Sequence, residues 1–335
     1  MEKYSQYRDR GSGIAPFFPI STDPSGIYWL FHLFLFLIRL PILLTVTLSY
    51  FFVLQWLPIG SLGKKASLWL ILGVPGVWWI DLQIDGVKKG SLAKHHNARL
   101  PQPGSIIASS HTSPIDSLYL AVIFDPVFTV SYPTTRLVQR ISLFHSILRA
   151  FQYPQYDPPP IAKLTDLATL IHQHPHQAIV VFPECTTTNG RGILPFSTSL
   201  FTAPSTAKIF PISLRYTAAD ITTPIPGTYI TFLWNLLSKP THCIRVRIAE
   251  SIYNTSHSPA TRSTTSPGQL MSDDRTSSSD TLLGSEEAEG MSAAEKRVLD
   301  KVAEALARLG RVKRVGLGVR DKEEFVKAWS KQRRR

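Results

Sequence analysis

Two short stretches of this sequence hold side chains that could do chemistry. The first is Ser109-Ser110-His111-Thr112-Ser113-Pro114-Ile115-Asp116. A histidine and a carboxylate five positions apart, across a strand-to-helix turn, can meet by hydrogen bond. The carboxylate then fixes the imidazole tautomer and stabilises its charged form, and the other ring nitrogen can take a proton from a hydroxyl. That is two members of a Ser-His-Asp triad, with the nucleophile brought by the substrate. Asp116 has a structural reading too. Ser113 as N-cap, Pro114 at the first helical position and an acid at the third make a good helix start. His111 alone, in a polar loop, would read as a surface histidine.

The second stretch runs Val180-Val181-Phe182-Pro183-Glu184-Cys185-Thr186-Thr187-Thr188-Asn189-Gly190-Arg191-Gly192. An apolar strand leads into Pro-Glu and then hydroxyls, an amide, glycines and one arginine. Such a loop offers backbone N–H groups, side-chain donors and a guanidinium, which together suit a phosphate. The competing reading is a polar turn after a buried strand. Cys185 could also form an acyl-enzyme with His111 as its base, giving a thioesterase or transacylase. A simpler view makes it a small residue tolerated in the turn. His172, His174 and His176 alternate but have no cysteine or acid nearby, so they read as an exposed loop rather than a metal site.

The elements that must position these residues follow from pattern. Ser105–Ser109, Ala178–Phe182, Lys208–Leu214 and Cys243–Ala249 are short and rich in β-branched residues, as buried strands are. Helices are expected at Pro114–Ile123, Leu137–Phe151 and Ile161–His172. Alternating strands and helices over residues 81–253 predict an α/β domain, a mostly parallel sheet with flanking helices. Residues 254–291 are rich in Ser, Thr, Gly, Pro and acid and read as a disordered insert. Ser292-Ala293-Ala294-Glu295 is a capping box that opens a helix to about Leu309 in a basic C-terminal region, residues 292–335.

The chain has 335 residues and a formal charge of +12 at pH 7. From Glu295 onward, 14 Lys and Arg face 6 Asp and Glu, so this end holds most of the excess. It suits anionic lipid and equally a solvated face; a nucleic-acid partner is not expected beside the apolar block described next. Two cysteines exclude a disulfide scaffold and a cysteine-type zinc module. Residues 1–26 are polar and expected to be flexible. Ile27–Ile59 is almost wholly apolar, with Arg39 its one charge, and exceeds the roughly 20 residues that a spanning helix needs. It starts too late and runs too long for a signal peptide, and a buried core helix is the other alternative. A break at Pro41 into two short helices is as open as one long helix. Leu68–Ile80 is too short to span and is expected to lie in-plane or re-enter, so that residues 27–80 form a membrane anchor. Basic residues on both sides of the block, Lys3, Arg8 and Arg10 before and Lys64 and Lys65 after, fit a hairpin or half-inserted anchor with cytoplasmic ends.

Taken together, the two motifs resemble those of the glycerolipid acyltransferases, the lysophosphatidic acid acyltransferases and their relatives. That family has a His-x-x-x-x-Asp block and a later Phe-Pro-Glu-Gly-Thr block. His111, Ser113 and Asp116 match the first; Phe182, Pro183, Glu184 and Thr186 match the second, with Cys185 in place of Gly. The gap of 73 positions from His111 to Glu184 and the later Phe210-Pro211-Ile212 also fit. The resemblance covers about residues 60–250, and the Phe-Pro-Glu-Cys-Thr form with a Ser-rich insert looks most like the fungal oleoyl-CoA-using branch. It implies acyl transfer from acyl-CoA, a cosubstrate, to a lysophospholipid acceptor in membrane lipid, with no metal and no bound cofactor. His111 would be the general base and Asp116 its orienter. Ser113, Glu184, Thr186, Thr187, Gly190 and Arg191 would bind substrate. The family's arginine between the two blocks has no clear counterpart; Arg136 and Arg140 are candidates. The implied location is the endoplasmic reticulum membrane, with lipid-droplet surfaces as an extension. A non-enzymatic lipid-binding protein with the same fold is the alternative.

Overall fold

The computed structural model describes residues 2–20, 26–57, 61–87, 99–255 and 292–333. In chain order the main elements are α1 (Trp29–Ser49), α2 (Ser61–Gly73), β1 (Val77–Ile84), β2 (Ile106–Ser109), α3 (Pro114–Phe124), β3 (Val127–Ser131), β4 (Val138–Ile141), α4 (Leu143–Arg149), β5 (Leu164–Thr165), α5 (Leu167–Gln173), β6 (Ile179–Val181), β7 (Gly192–Ile193), β8 (Lys208–Thr217), α6 (Tyr229–Leu237), β9 (His242–Ile248), β10 (Ile252–Tyr253), α7 (Ala293–Gly310), β11 (Lys313–Arg314) and α8 (Val319–Arg333).

The main sheet runs β1-β9-β8-β2-β6-β3-β4-β5. Its centre, β8-β2-β6-β3, is parallel, and antiparallel pairs β8–β9 and β3–β4–β5 lie to either side. The central strands are mostly apolar and buried because both faces are covered. Ile107, Val180, Phe210 and Ile212 pack under α2, α3 and α6. Ile106, Ile179, Val181 and Ile209 pack under α5 and α7. The α/β class and the four expected strands are present. The capping box is also present: Ser292 Oγ accepts from Glu295 N–H (3.2 Å) and Glu295 Oε2 accepts from Ser292 N–H (2.9 Å).

Several expectations are corrected. Leu137–Phe151 is not one helix. Residues 138–141 pair with β3 as a strand, and Ser142 then caps α4. Ile161–His172 likewise begins with the short strand β5, which pairs with β4, before α5. Leu68–Ile80 is not a re-entrant segment: Leu68, Ile71 and Leu72 are core residues of α2, and β1 pairs in parallel with β9. The N-terminal segment is packed rather than flexible, with Tyr7 and Phe17 buried against Phe325 of α8. Most of the insert expected at 254–291 lies outside the described residues; Asn254, its first residue, is buried and donates to the carbonyls of Phe201 and Ala203 (3.1 and 2.7 Å).

Pro41 sits inside α1 and does not break it. The helical path continues to Leu54 through a wider π turn, and Trp29–Leu54 is long and apolar enough to cross a membrane. One flank of α1 is nevertheless bound to the α/β domain. His32 Nδ1 lies 2.6 Å from Ser238 O, and Arg39 donates to Lys239 O (2.5 Å) and Pro240 O (3.0 Å). Those carbonyls satisfy the one charge in the block.

Candidate active site

β2 and β6 are parallel neighbours, with Ala108 beside Val181. Their carboxyl ends therefore open at the same edge of the sheet, where α/β folds bind ligands. This brings the two motifs together across 73 positions of sequence. His111 follows β2 and Phe182 follows β6, and the two rings stack with centroids 4.3 Å apart.

His111 is buried, and its Nε2 has no hydrogen-bond partner among the described residues. Burial, and then the charges of Lys322 and Arg149, pull the imidazole down to about 3. It is neutral at physiological pH, as a base must be. Among the described residues no hydrogen bond joins the side chains of His111 and Asp116. Asp116 Oδ2 accepts from the backbone N–H groups of Thr112 (2.6 Å) and Ser113 (2.8 Å), and Oδ1 accepts from the Tyr216 hydroxyl. The capping role holds, with Ser113 at N-cap, Pro114 at N1 and Asp116 at N3. Asp116 thus fixes the backbone just after His111, not the ring. Burial raises its carboxyl to about 6 against the lowering effect of the Tyr216, Thr112 and Ser113 bonds. The Ser113 hydroxyl donates to Ile221 O (2.9 Å).

Glu184 also serves the backbone. Its Oε2 accepts from Leu194 N–H (3.1 Å), and the carboxylate also accepts from the His111 N–H. Burial pushes Glu184 up to about 8. Thr188 N–H donates to His111 O (3.0 Å), so the second motif holds the first by its main chain. Thr186 and Thr187 are buried, and their hydroxyls accept from Lys322 of α8. Gly190 has φ +71°, a turn that favours glycine, and a Cβ there would sit 3.5 Å from the Thr112 methyl. Arg191 is exposed. Cys185 has φ +58° and is buried, and its thiol donates to Pro183 O (3.6 Å).

Two residues escaped the sequence. Arg149, at the end of α4, lines a small cavity of about 10 Å³ with His111, Phe182, Cys185, Ser131 and Ser146. Its Nη2 is buried without a hydrogen-bond partner, while Nη1 donates to Gln155 (2.5 Å). Arg136 instead pairs with Glu295 (2.8 Å), and Arg140 is exposed on β4. The expected helix over 137–151 hid which arginine turns inward. The other is Lys322, more than 200 residues beyond His111. Beside the site lies a larger, almost wholly apolar cavity of about 220 Å³. Pro114, Ile115 and Leu118 of α3 form one wall, with Leu43 and Phe51 near α1, Phe151 and Phe232 on the others. Among the described residues no group of three His, Cys, Asp or Glu side chains is placed to hold a metal ion.

Comparison with known proteins fits this geometry. Residues 92–215 match the family model described as Acyltransferase. A Schizosaccharomyces pombe protein provisionally named a lysophosphatidic acid:oleoyl-CoA acyltransferase is 30% identical over 257 residues, 74% of this chain and 84% of that protein. Lysophosphatidic acid:oleoyl-CoA acyltransferase 1 of Saccharomyces cerevisiae is 27% identical, over 59% of this chain and 61% of its own length. The crystal structure of the 1-acyl-sn-glycerophosphate (LPA) acyltransferase PlsC from Thermotoga maritima aligns at a TM-score of 0.38 and 15% identity, covering 84% of this chain and 95% of that one. With a relative at this identity covered over most of its length, and with both motifs meeting at one sheet edge, the chain belongs to the lysophosphatidic acid acyltransferase-like family of acyltransferase enzymes.

Proposed function

We propose that this enzyme transfers an acyl chain, oleoyl by preference, from acyl-CoA to the free glycerol hydroxyl of a lysophospholipid, with lysophosphatidic acid as acceptor and phosphatidic acid as product. The observation that carries the reading is His111: a buried imidazole with an unpartnered Nε2, lining a small cavity together with Arg149, whose Nη2 is likewise buried and unpartnered. His111 takes the proton of the acceptor hydroxyl as its oxygen attacks the thioester carbonyl. The tetrahedral intermediate collapses, the C–S bond breaks, and His111 returns the proton to the leaving CoA thiolate. General-base help of this kind contributes about 10²–10⁴-fold, so positioning of two amphiphiles supplies much of the rest.

Arg149 is the cation nearest to the acceptor phosphate in this reading, and its free Nη2 is the donor it offers. The apolar cavity takes an acyl chain, since its lining has almost no polar atoms to leave unpaired. Asp116, Glu184, Thr186 and Thr187 act by holding the His111 loop and the loop after β6. No metal or bound cofactor takes part; acyl-CoA is a cosubstrate. The exposed Trp29 and Phe34 of α1, with Phe52 and Trp56 after it, support an anchor that holds the site at a membrane surface where both chains reside. We assign that membrane to the endoplasmic reticulum, with the catalytic domain on the cytoplasmic side and exchange to lipid droplets.

Membranes containing the chain, given oleoyl-CoA and a panel of lysophospholipids, test this. Transfer to lysophosphatidic acid that is lost in His111→Ala supports it. Equal transfer by wild type and His111→Ala, both shown to be folded and membrane-bound, would sink it.

A further inference from the structure

The C-terminal helix α8 lies outside the matched family region of residues 92–215, yet it enters the candidate site. Lys322 is buried on this otherwise charged helix. Its ammonium donates to Thr186 Oγ1 (2.9 Å), Thr187 Oγ1 (2.9 Å) and Thr187 O (2.6 Å). All three hydrogens are spent on two adjacent residues of one loop. A buried ammonium is costly unless every hydrogen is bonded, so this arrangement favours one loop conformation over others.

The same loop is held from its other end. The Asn189 side-chain amide donates to Ala15 O (2.8 Å) and Phe18 O (2.9 Å), and its backbone N–H donates to Pro16 O (2.9 Å). Those residues belong to the N-terminal segment, which packs on α8 through Phe18 and Phe325, ring centroids 5.1 Å apart. The two chain ends therefore form one body closed over residues 186–189. That loop in turn donates to the His111 carbonyl through Thr188 (3.0 Å).

Resting on the acceptor assignment above, we propose that Lys322 is a positioning residue of the acceptor site. From the C-terminal helix it fixes Thr186 and Thr187, and with them the loop that donates to the His111 carbonyl, in the shape that binds the acceptor. The enzyme's acceptor site then needs both chain ends, and a catalytic core trimmed to the matched region would lack it.

The test uses the full chain in membranes. Lys322→Met keeps the length and apolar stem and removes the charge and its three hydrogen bonds. A hydrogen bond to a charged group is worth enough to expect a KM for lysophosphatidic acid raised about tenfold or more. The KM for oleoyl-CoA should stay as in wild type. Glycerol 3-phosphate, used as a competitive inhibitor against the acceptor, should weaken in parallel, and Lys322→Arg should restore part of both. A purely structural lysine would lower the amount of folded enzyme and kcat without this split. If Lys322→Met fails to accumulate, Thr186→Val removes one of the three bonds and should raise the acceptor KM severalfold. Acceptor KM and glycerol 3-phosphate inhibition unchanged in an active variant would overturn the inference alone. A folded wild type with no transfer to any lysophospholipid would overturn the acceptor assignment and this inference with it.

Discussion

Tyr216→Phe should move the acid limb of the pH–rate profile. The Tyr216 hydroxyl donates to Asp116 Oδ1 inside a fully buried site. Asp116 already sits at about 6, because burial raises it more than its hydrogen bonds lower it. His111 sits at about 3, so over the working range the base is neutral and imposes no limb. Below neutrality the titrating group is therefore Asp116, which when ionised accepts the N–H groups of Thr112 and Ser113 and the Tyr216 hydroxyl together. Protonation would set an O–H donor against those donors and loosen the loop that carries His111. Phenylalanine keeps the shape of the side chain and removes one hydrogen bond to a charge, worth about 1.5–3 kcal/mol. At about 1.4 kcal/mol per pKa unit, that raises Asp116 by roughly one to two units. The wild-type limb near 6 should move to about 7–8 in the variant, with the plateau above it largely recovered. The assay is kcat/KM for acyl transfer from pH 5 to 9 at matched amounts of folded enzyme. Coincident acid limbs would show that Asp116 ionisation does not govern the loop. A plateau lost at every pH, with the limb unmoved, would show that Tyr216 is needed for something else.

Further outcomes follow from the same geometry. Arg149→Met should raise the acceptor KM about tenfold or more, since a charge-assisted bond to phosphate is lost, while Arg140→Met, exposed on β4, should behave as wild type in the same kinetics. Cys185→Gly should keep acyl transfer and hold or raise the melting temperature. A left-handed non-glycine residue costs about 1–2 kcal/mol, against about 0.5–1 for glycine's added freedom when unfolded. If Cys185 were a nucleophile, this variant would be inactive. Leu118→Trp should fill part of the apolar cavity and shift donor preference to shorter acyl-CoA chains, measured across a chain-length series. Glu184 is raised from 4.5 to about 8, so the folded protein binds its proton more tightly than the unfolded chain, and stability falls as pH rises through that window. Glu184→Gln should flatten this decline, with melting temperatures at pH 5 and pH 8.5 converging.

Membership of an acyltransferase family sets aside the non-enzymatic alternative. The loose point in the sequence reading was the role given to each carboxylate. Spacing across a strand-to-helix turn allows a His–Asp hydrogen bond, and it equally allows a capping carboxylate. Which forms depends on where the Thr112 and Ser113 N–H groups point and on Tyr216, which arrives from a strand 100 residues away. Glu184 is similar. Read as a ligand for phosphate, it is turned inward to the main chain of His111 and Leu194.

The sequence by itself determined the parts governed by local physics. Apolar β-branched runs became the central strands, because only burial on both faces accepts them. Ser-Pro-Ile-Asp and Ser-Ala-Ala-Glu became helix starts, because capping is settled within four residues. A long block with one charge became an apolar helix, though whether Pro41 would break it was not readable from the sequence. Tertiary structure alone decided which cations face the site. Arg149 turns inward because residues 138–141 pair as a strand and α4 begins late. Lys322 reaches the loop after β6 because β11 pairs with β7 and the aromatic residues of the two chain ends pack together. Those contacts join residues far apart in the chain, and their energies depend on burial and partner placement, which no local pattern encodes.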